Sequence, residues 1–431
     1  MTEAGNPIPS AAGLPAVPDA IPRLPVLGWA SFAGAGAVPD DSLLAAPHLE
    51  FTTSGRAAIW HALKQLGVGA GDRVLVPTYH CPTMVAPAVH AGAEPVFYPV
   101  TSEGVDTSFL ARLDVRHVKV LIVAHFFGRP VPMAWLRDFC DARGIALIED
   151  CAHALLGTVE GKPVGAWGDF AVGSLTKFLP VPEGGCLASW RRTVDLKLEH
   201  QPLRAELKCA VDILEIGARY RRLRGLNALL SSAFRLKNAI RHRGRRELVA
   251  GSTPEEGPGD PIGEFDTGYA LSAPTQVARL TARCMDWGRI RRRRRERYAA
   301  LVRALGDLPG LRVLYPDLPE GSAPYVLPVW VKDPEPKYRA LRSRGCPVFR
   351  WEWLWPGTPI LPGDDGWTWS RHVFQLPCHQ EIEEPDFEWL VTEVREMLGA
   401  PGAGRASAPG ALQVNDRPRA EASRRASADA P

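Results

Sequence analysis

The chain has little of the cysteine patterning that builds a disulfide framework or a zinc ribbon. Its eight cysteines are scattered over 431 residues without paired spacing, and reduced thiols in a cytoplasm are the simple reading. It has no apolar run long enough to span a bilayer, and no charged-then-apolar start that resembles a signal peptide. It also lacks an excess of one charge: a net +3 implies no polyanionic partner by itself. These absences leave a soluble, cytoplasmic protein as the expectation. What is present fits that: 45% hydrophobic and 23% charged residues are ordinary for a globular chain. The length suits one large and one smaller domain rather than repeats. The 40 glycines and 40 prolines are partly concentrated at the ends and in loops.

Residues 1–22 are rich in Pro, Ala and Gly and are expected to be loosely held, and residues 399–431 read as a disordered tail. Between them the pattern alternates. A helix runs from near Gly55 to LKQLG at 63–67, RVLVP at 73–77 is a strand, and 82–92 is a helix with an internal Pro. PVFYPV at 95–100 is a strand and 106–113 a short helix. VKVLIVAHFFG at 118–128 is a strongly apolar strand, 133–144 an amphipathic helix, and IALIED at 145–150 the next strand. Such alternation predicts a parallel sheet covered on both faces, within a large domain over 23–265. Residues 191–265 are helical in character and basic, and 274–305 form another long helical pattern. Residues 266–398 read as a smaller α+β domain with short strands and a closing helix. The strand ends at Asp150 and Ser174 should lie along one sheet edge, where α/β folds bind ligands.

Those two strand ends carry chemistry. LIED at 147–150 delivers an acidic pair ending in Asp150; GDFAVGSLTK at 168–177 delivers Ser174 and Lys177; PEGG follows at 182–185. A lysine, a carboxylate and a hydroxyl, each at a strand end, are the polar groups pyridoxal phosphate requires: an amine for its aldehyde, an anion for its pyridinium nitrogen and a donor for its phosphate. No metal site is indicated.

With these motifs the chain resembles the DegT/DnrJ/EryC1/StrS family of sugar aminotransferases, which depend on pyridoxal phosphate and share the fold-type-I, aspartate-aminotransferase-like architecture. TSGRAAIWHALKQLGVGAGDRVLVP at 53–77, VAHFFGRP at 123–130, IEDCAHALLG, GDFAVGSLTK and FQLPCHQEIEEPDFEWLV carry the similarity, over roughly 45–190 and 266–398. The resemblance implies a large three-layer α/β/α domain, a smaller C-terminal α+β domain and a homodimer with active sites at the subunit interface. It places Lys177 as the Schiff-base lysine that moves the proton, Asp150 as the pyridine-nitrogen partner and His153 beside the cofactor's phenolic oxygen. Ser174 and the Gly55–Arg56 turn fall at the phosphate, where a helix N-terminus suits a dianion. A ring over the cofactor falls within Tyr79–Cys81, with His80 the choice among them. The implied reaction moves an amino group from an amino acid, glutamate being the expected donor, to a keto sugar carried on a nucleotide. It would serve amino-sugar, polysaccharide or secondary-metabolite synthesis.

The chain departs from the family pattern in three places. The Ser174–Lys177 loop is shorter. No Asn equivalent to the partner-supplied phosphate ligand occurs in DTGYALS at 266–272, for which Arg56 would compensate by charge. RWEWLWPGTP at 350–359 replaces a region that helps bind the acceptor, and its Trp side chains either stack on a sugar or base or pack at the domain junction. Cys81 and Cys151 read as small packed residues. GRIRRRRRERY at 288–298 reads as a solvated charged helix rather than a nucleic-acid reader. The competing functions are sugar dehydration, which Lys177 argues against, and a non-catalytic regulator or scaffold, which the Lys177–Asp150–His153 set argues against. Membrane association through basic helices at 205–245 competes with subunit packing, the favoured reading.

Overall fold

The computed structural model describes residues 20–31, 37–230, 232–234 and 265–399. Short apolar runs bounded by turn residues become seven strands: β1 (His48–Thr52), β2 (Arg73–Pro77), β3 (Glu94–Tyr98), β4 (Val118–Ala124), β5 (Ala146–Asp150), β6 (Phe170–Ser174) and β7 (Gly185–Ser189). They form one sheet in the order β1-β7-β6-β5-β4-β2-β3. The β6, β5, β4, β2 and β3 pairings are parallel, whereas β7 runs antiparallel to both β6 and β1. The expected parallel sheet is thus a mixed one with a single reversed strand, which the strand–helix alternation upstream of residue 150 does not reveal.

Helices α1 (Gly55–Gln65), α2 (Pro82–His90), α3 (Thr107–Arg112) and α4 (Ala134–Arg143) connect these strands. Successive residues of a strand face opposite sides of a sheet, and both sides of this one are packed. Val120, Ile122 and Ile148 join a core with Ala58, Ala62 and Val85 of α1 and α2. Their neighbours Leu121, Val123 and Leu147 join another with Leu136 and Phe139 of α4. Burial on both faces is why β4 reads as a continuous apolar run. Strand β4 ends at Ala124, and Phe126–Gly128 form a tight 3-10 turn, so the strand is shorter than the apolar run. Gly128 has φ +92°, and a Cβ there would lie 2.7 Å from the Tyr325 nitrogen. Only glycine permits that approach.

Beyond β7, residues 191–202 are irregular rather than helical, and α5 (Leu203–Arg219) follows. Residues 235–264 of the basic segment lie outside the described residues, as do 1–19 and 400–431. Ile21 and Pro22, at the end of the segment expected to be loose, are buried. After α6 (Thr267–Ala270), the long helical pattern at 274–305 is two helices, α7 (Gln276–Cys284) and α8 (Trp287–Leu305). The chain breaks at Met285, and the Asp286 side chain caps α8 by accepting the Arg289 N–H at 2.8 Å.

A second sheet, β8 (Leu311–Val313), β9 (Val326–Val331) and β10 (Val373–Pro377), is antiparallel with β9 central. With α9 (Pro334–Ser343), α10 (Gly366–His372) and α11 (Glu384–Gly399), it completes the C-terminal part. Tyr298, Leu301 and Leu305 of α8 pack with Leu327, Val329, Phe374, Leu390 and Val394. Apolar packing also crosses the expected boundary at 265/266: Tyr325, Val326 and Trp369 share a core with Val76 and Ala124.

The arginine run on α8 is not a solvated surface. Arg289 pairs with Glu381 at 2.7 Å, Arg291 with Asp41 at 2.5 Å and Arg297 with Glu384 at 2.8 Å. Arg294 is completely buried. The buried face Trp287, Ile290, Arg294, Arg297, Tyr298, Leu301, Leu305 follows the three-and-four spacing of a core helix, with arginines at two of its positions. Among the described residues, no helix is long and apolar enough to cross a membrane.

Candidate active site

Parallel strands share a direction, so their C-terminal ends collect at one edge of the sheet. That edge carries Tyr79–Cys81 after β2, His125 after β4, Asp150 at the end of β5 and Ser174–Lys177 after β6. Strand β1 also points there and hands over to α1, while β7 starts there after Glu183 and Gly184. A cavity of about 580 Å³ opens at this edge. Gly55, Arg56, Asp150, His153, Ser174 and Lys177 all line it. His80 does not.

Lys177 ends a one-turn 3-10 helix, Leu175–Lys177, that follows β6 directly. This turn is the short loop noted from sequence. Its ammonium lies 5.4 Å from the centroid of the Tyr325 ring. Burial pulls the Lys177 pKa below its ordinary value, and the Asp150 charge opposes that shift. Burial raises Asp150 in turn, opposed by Lys177 and by the Ala152 N–H, which donates to Asp150 Oδ1 at 2.8 Å. Each group holds the other's charge in a space that disfavours both.

The His153 ring stacks on Tyr325, centroids 4.4 Å apart, and lies 5.3 Å from Trp351. Its Nδ1 accepts the Phe127 N–H at 3.2 Å. Burial, reinforced by the Lys177 charge, holds its pKa well below the usual histidine value. The imidazole is therefore neutral and its proton resides on Nε2.

The opposite rim is the first turn of α1. The Ser54 side chain accepts the Ala57 N–H at 3.2 Å, and Thr53, Gly55 and Arg56 line the cavity beside it. Ser174 and Thr176 face this rim with their hydroxyls 3.3 Å apart. A helix N-terminus, two hydroxyls and a guanidinium make an anion-binding rim. Strand β7 reaches the same place through Gly185, where a Cβ would sit 2.3 Å from the Ser54 carbonyl carbon.

The rings of Tyr79–Cys81 divide differently from the sequence reading. His80 is buried and stacked on Phe97, centroids 5.4 Å apart. Its Nε2 accepts the Trp355 N–H at 2.8 Å, so Nδ1 carries the proton and donates to the Pro77 carbonyl, also at 2.8 Å. With both nitrogens engaged and burial lowering its pKa to about 4, His80 ties the tryptophan-rich segment to β2 rather than facing the cavity. Tyr79 packs among Phe126, Phe127, Trp351 and Trp369. Cys81 is the member of the trio that lines the cavity.

Four features escaped the sequence reading. Glu149, beside Asp150, is fully buried and accepts His125 Nε2 at 3.0 Å and the N–H groups of Gly165, Trp167 and Gly168 at 2.6–3.0 Å. His125 Nδ1 accepts the Val131 N–H at 3.1 Å. Cys151 lies close by, but the carboxylate and both imidazole nitrogens are already engaged, so the cluster is a hydrogen-bonded brace beneath β4 and β5. Second, Arg294 donates to the Lys177 carbonyl at 2.7 Å, to Gln380 Oε1 and the Pro324 carbonyl at 2.9 Å, and to the Tyr325 carbonyl at 3.3 Å. Third, Glu183 of PEGG accepts the Thr275 N–H at 2.8 Å and the Tyr269 hydroxyl, binding DTGYALS to the rim. Fourth, Tyr325 and Phe349 wall the cavity from the C-terminal part, beside Trp351 of the tryptophan-rich segment singled out from sequence. Spacing could have revealed Arg294, which sits in phase with the apolar face of α8; the other three join residues far apart in sequence and leave no local signal.

The residues fit pyridoxal phosphate: an amine and a carboxylate share one cavity, a neutral imidazole lies beside them, and an anion rim stands opposite. Residues 42–195 match the model of the DegT/DnrJ/EryC1/StrS aminotransferase family. The chain is 35% identical over 146 residues to a GDP-perosamine synthase from Vibrio cholerae, covering 33% of this chain and 40% of that one. It is 32% identical over 171 residues to an L-glutamine:2-deoxy-scyllo-inosose aminotransferase from Streptomyces kanamyceticus, covering 38% and 39%. These alignments span about two fifths of the relatives' length. In three dimensions the chain superposes on S. venezuelae DesV with a TM-score of 0.56 at 20% identity, covering 85% of this chain and 91% of that one. The aminotransferase TlmJ from Streptoalloteichus hindustanus gives 0.56 at 22%, covering 87% and 97%; these two likenesses show the fold. Over its matching segment, residues 42–195, and in the sheet edge that segment builds, the chain is similar to the DegT/DnrJ/EryC1/StrS aminotransferase family.

Proposed function

We propose that the protein is a pyridoxal-phosphate-dependent aminotransferase that moves an amino group from an amino acid to a keto sugar linked to a nucleotide. The observation that carries this reading is the convergence of Lys177, Asp150 and the α1 rim on one cavity. Pyridoxal phosphate, when bound, would supply an electrophilic carbon and an electron sink. Lys177 would be the amine at that carbon. Its lowered pKa suits it to take and return a proton between the reacting atoms near neutral pH. Asp150 would hold a proton on the ring nitrogen, a task that the Ala152 N–H favours by keeping its Oδ1 in place. His153, neutral and protonated at Nε2, would donate to the phenolic oxygen. Ser174, Thr176, Gly55 and Arg56 would bind the phosphate, with Arg56 supplying positive charge at the rim. Tyr325 and Trp351 would exclude water from the reacting carbon.

The named relatives support the acceptor class. They include synthases and aminotransferases of nucleotide sugars and glutamine-dependent aminotransferases of inososes. Glutamate is the first donor to test and glutamine the second. Exposed Leu203 and Leu207 of α5 and Leu280 of α7, two helices packed together, offer an apolar face for a second copy of the chain. Mixing the protein with pyridoxal phosphate and glutamate tests the reading: a cofactor band that depends on Lys177 and is converted by the donor supports it, and a band that ignores the donor refutes it.

A further inference from the structure

A flat cofactor ring held between Lys177 and Asp150 needs a surface to rest its face against. The sequence reading looks for that surface in Tyr79–Cys81, and the structure does not supply it there. Tyr79 and His80 are packed away from the cavity. Of the three only Cys81, which has no ring, lines it, and its sulfur accepts the Thr83 hydroxyl at 3.0 Å.

Rings from elsewhere do line the cavity, and most have their faces engaged. Buried Tyr325 carries the His153 imidazole stacked 4.4 Å away. The Arg23 guanidinium lies over Phe349 at 5.4 Å. Phe126 meets Tyr79 and Trp351 at steep angles, 63° and 74°. Phe265 packs against Trp60 and His90, and the Tyr269 hydroxyl is bound to Glu183. Trp351 differs. It is partly exposed, lines the cavity, and lies between Tyr79, 4.8 Å away, and His153, 5.3 Å away. Those neighbours follow β2 and β5, so the indole stands at the stretch of sheet edge that ends in Asp150. Its backbone is fixed on both flanks. Phe349 and Gln375 exchange backbone hydrogen bonds at 2.8 and 3.4 Å, and the Trp355 N–H donates to His80 Nε2 at 2.8 Å. A side chain held in this way is a surface formed before its ligand arrives.

We infer that Trp351 is the ring on which the cofactor's pyridine rests, a task moved from the loop after β2 to the C-terminal part of the chain. This rests on the aminotransferase reading and adds to it the residue that holds the ring's face. The chemistry favours an indole: Asp150 keeps the ring nitrogen protonated, and of the aromatic side chains Trp offers a cation the best face. His80 is then a positioning residue that acts through Trp351 by holding the segment behind it. The competing use of the indole is stacking on the acceptor, in which case cofactor affinity does not depend on it.

The test is calorimetric titration of the full-length protein with pyridoxine 5′-phosphate, which keeps the ring and the phosphate but has no aldehyde for Lys177. Trp351→Leu should weaken binding by about tenfold, and Trp351→Phe by about threefold or less. Trp353→Leu removes an exposed neighbour that does not line the cavity and should change nothing. Unchanged melting transitions certify that the variants fold. The inference is overturned if Trp351→Leu binds as the wild type does, which assigns the indole to the acceptor or to packing, or if Trp353→Leu loses as much. Should Trp351→Leu melt early, Trp351→Phe decides: it should keep its affinity and lose part of the tryptophan-emission quenching that the ligand causes, and unchanged quenching overturns the inference. A Lys177-dependent pyridoxal phosphate band in the wild type separates a misassigned ring from a failed aminotransferase reading.

Discussion

Arg294 offers a sharp test of how the C-terminal part governs the lysine. Its guanidinium serves four acceptors, one of them the carbonyl of Lys177 itself. In Arg294→Met each acceptor loses a charged donor, and a buried polar atom left without a partner costs about 1–3 kcal/mol. The full sum is not expected, because removing a buried cation also relieves a desolvation penalty of several kcal/mol. A net loss of about 3 kcal/mol follows from these opposing terms. Arg297→Met on the same helix is the comparison. It loses one carbonyl contact, at 3.2 Å, and an ion pair to a Glu384 side chain that is 64% exposed, for a cost of about 1 kcal/mol. Only Arg294 touches the Lys177 turn. Thermal melts and absorbance titrations with pyridoxal phosphate on both variants should therefore diverge. Arg294→Met should weaken cofactor binding by about tenfold, equivalent to about 1.4 kcal/mol, while Arg297→Met should leave it nearly unchanged. Equal cofactor affinities in the two variants, or a larger destabilisation by Arg297→Met, would refute the reasoning.

Other outcomes follow from the same geometry. His80, with a pKa near 4, His379, near 3, and His153, also well below normal, are buried and neutral in the fold. The unfolded chain takes up their protons near pH 6.5, so stability is full above that pH and falls as pH drops below it. The slope should approach about 4 kcal/mol per pH unit, one 1.36 kcal/mol increment from each histidine; denaturant midpoints at pH 7, 6 and 5 check this, and a flat profile contradicts it. Gly185→Ala should cost about 1–3 kcal/mol or more, since its Cβ would strike backbone. Gly69→Ala, with nothing within 4 Å, should leave the melting temperature almost unmoved. Glu149→Gln should cost about 3–5 kcal/mol by setting an amide NH2 against the N–H donors at one of the two positions, those of Trp167 and Gly168 at Oε1 or that of Gly165 at Oε2, read as a lower melting temperature together with a weakened cofactor band.

The N-terminal sheet was legible because each strand is a local apolar run and each crossover helix carries its own periodicity. Lys177, Asp150, Ser174 and His153 were legible as motif positions, and the fold brings all four to one cavity. Reversal of β7 was not legible, since its five residues, GCLAS, carry no mark of direction. His80 could be placed near the edge, but not turned: its orientation depends on Trp355, 275 residues away. The arginine run misled for the same reason. Local pattern gave a charged helix, whereas the partners that bury it, Gln380, Glu381 and the Lys177 carbonyl, come from distant turns.

The most direct test of the central claim is the absorbance spectrum of the protein with added pyridoxal phosphate, wild type beside Lys177→Ala, before and after glutamate or glutamine. The expected result is a cofactor band present only in the wild type and converted to the pyridoxamine form by one of these donors. A spectrum identical in the two proteins, or a lysine-dependent band that neither donor changes, would contradict the account.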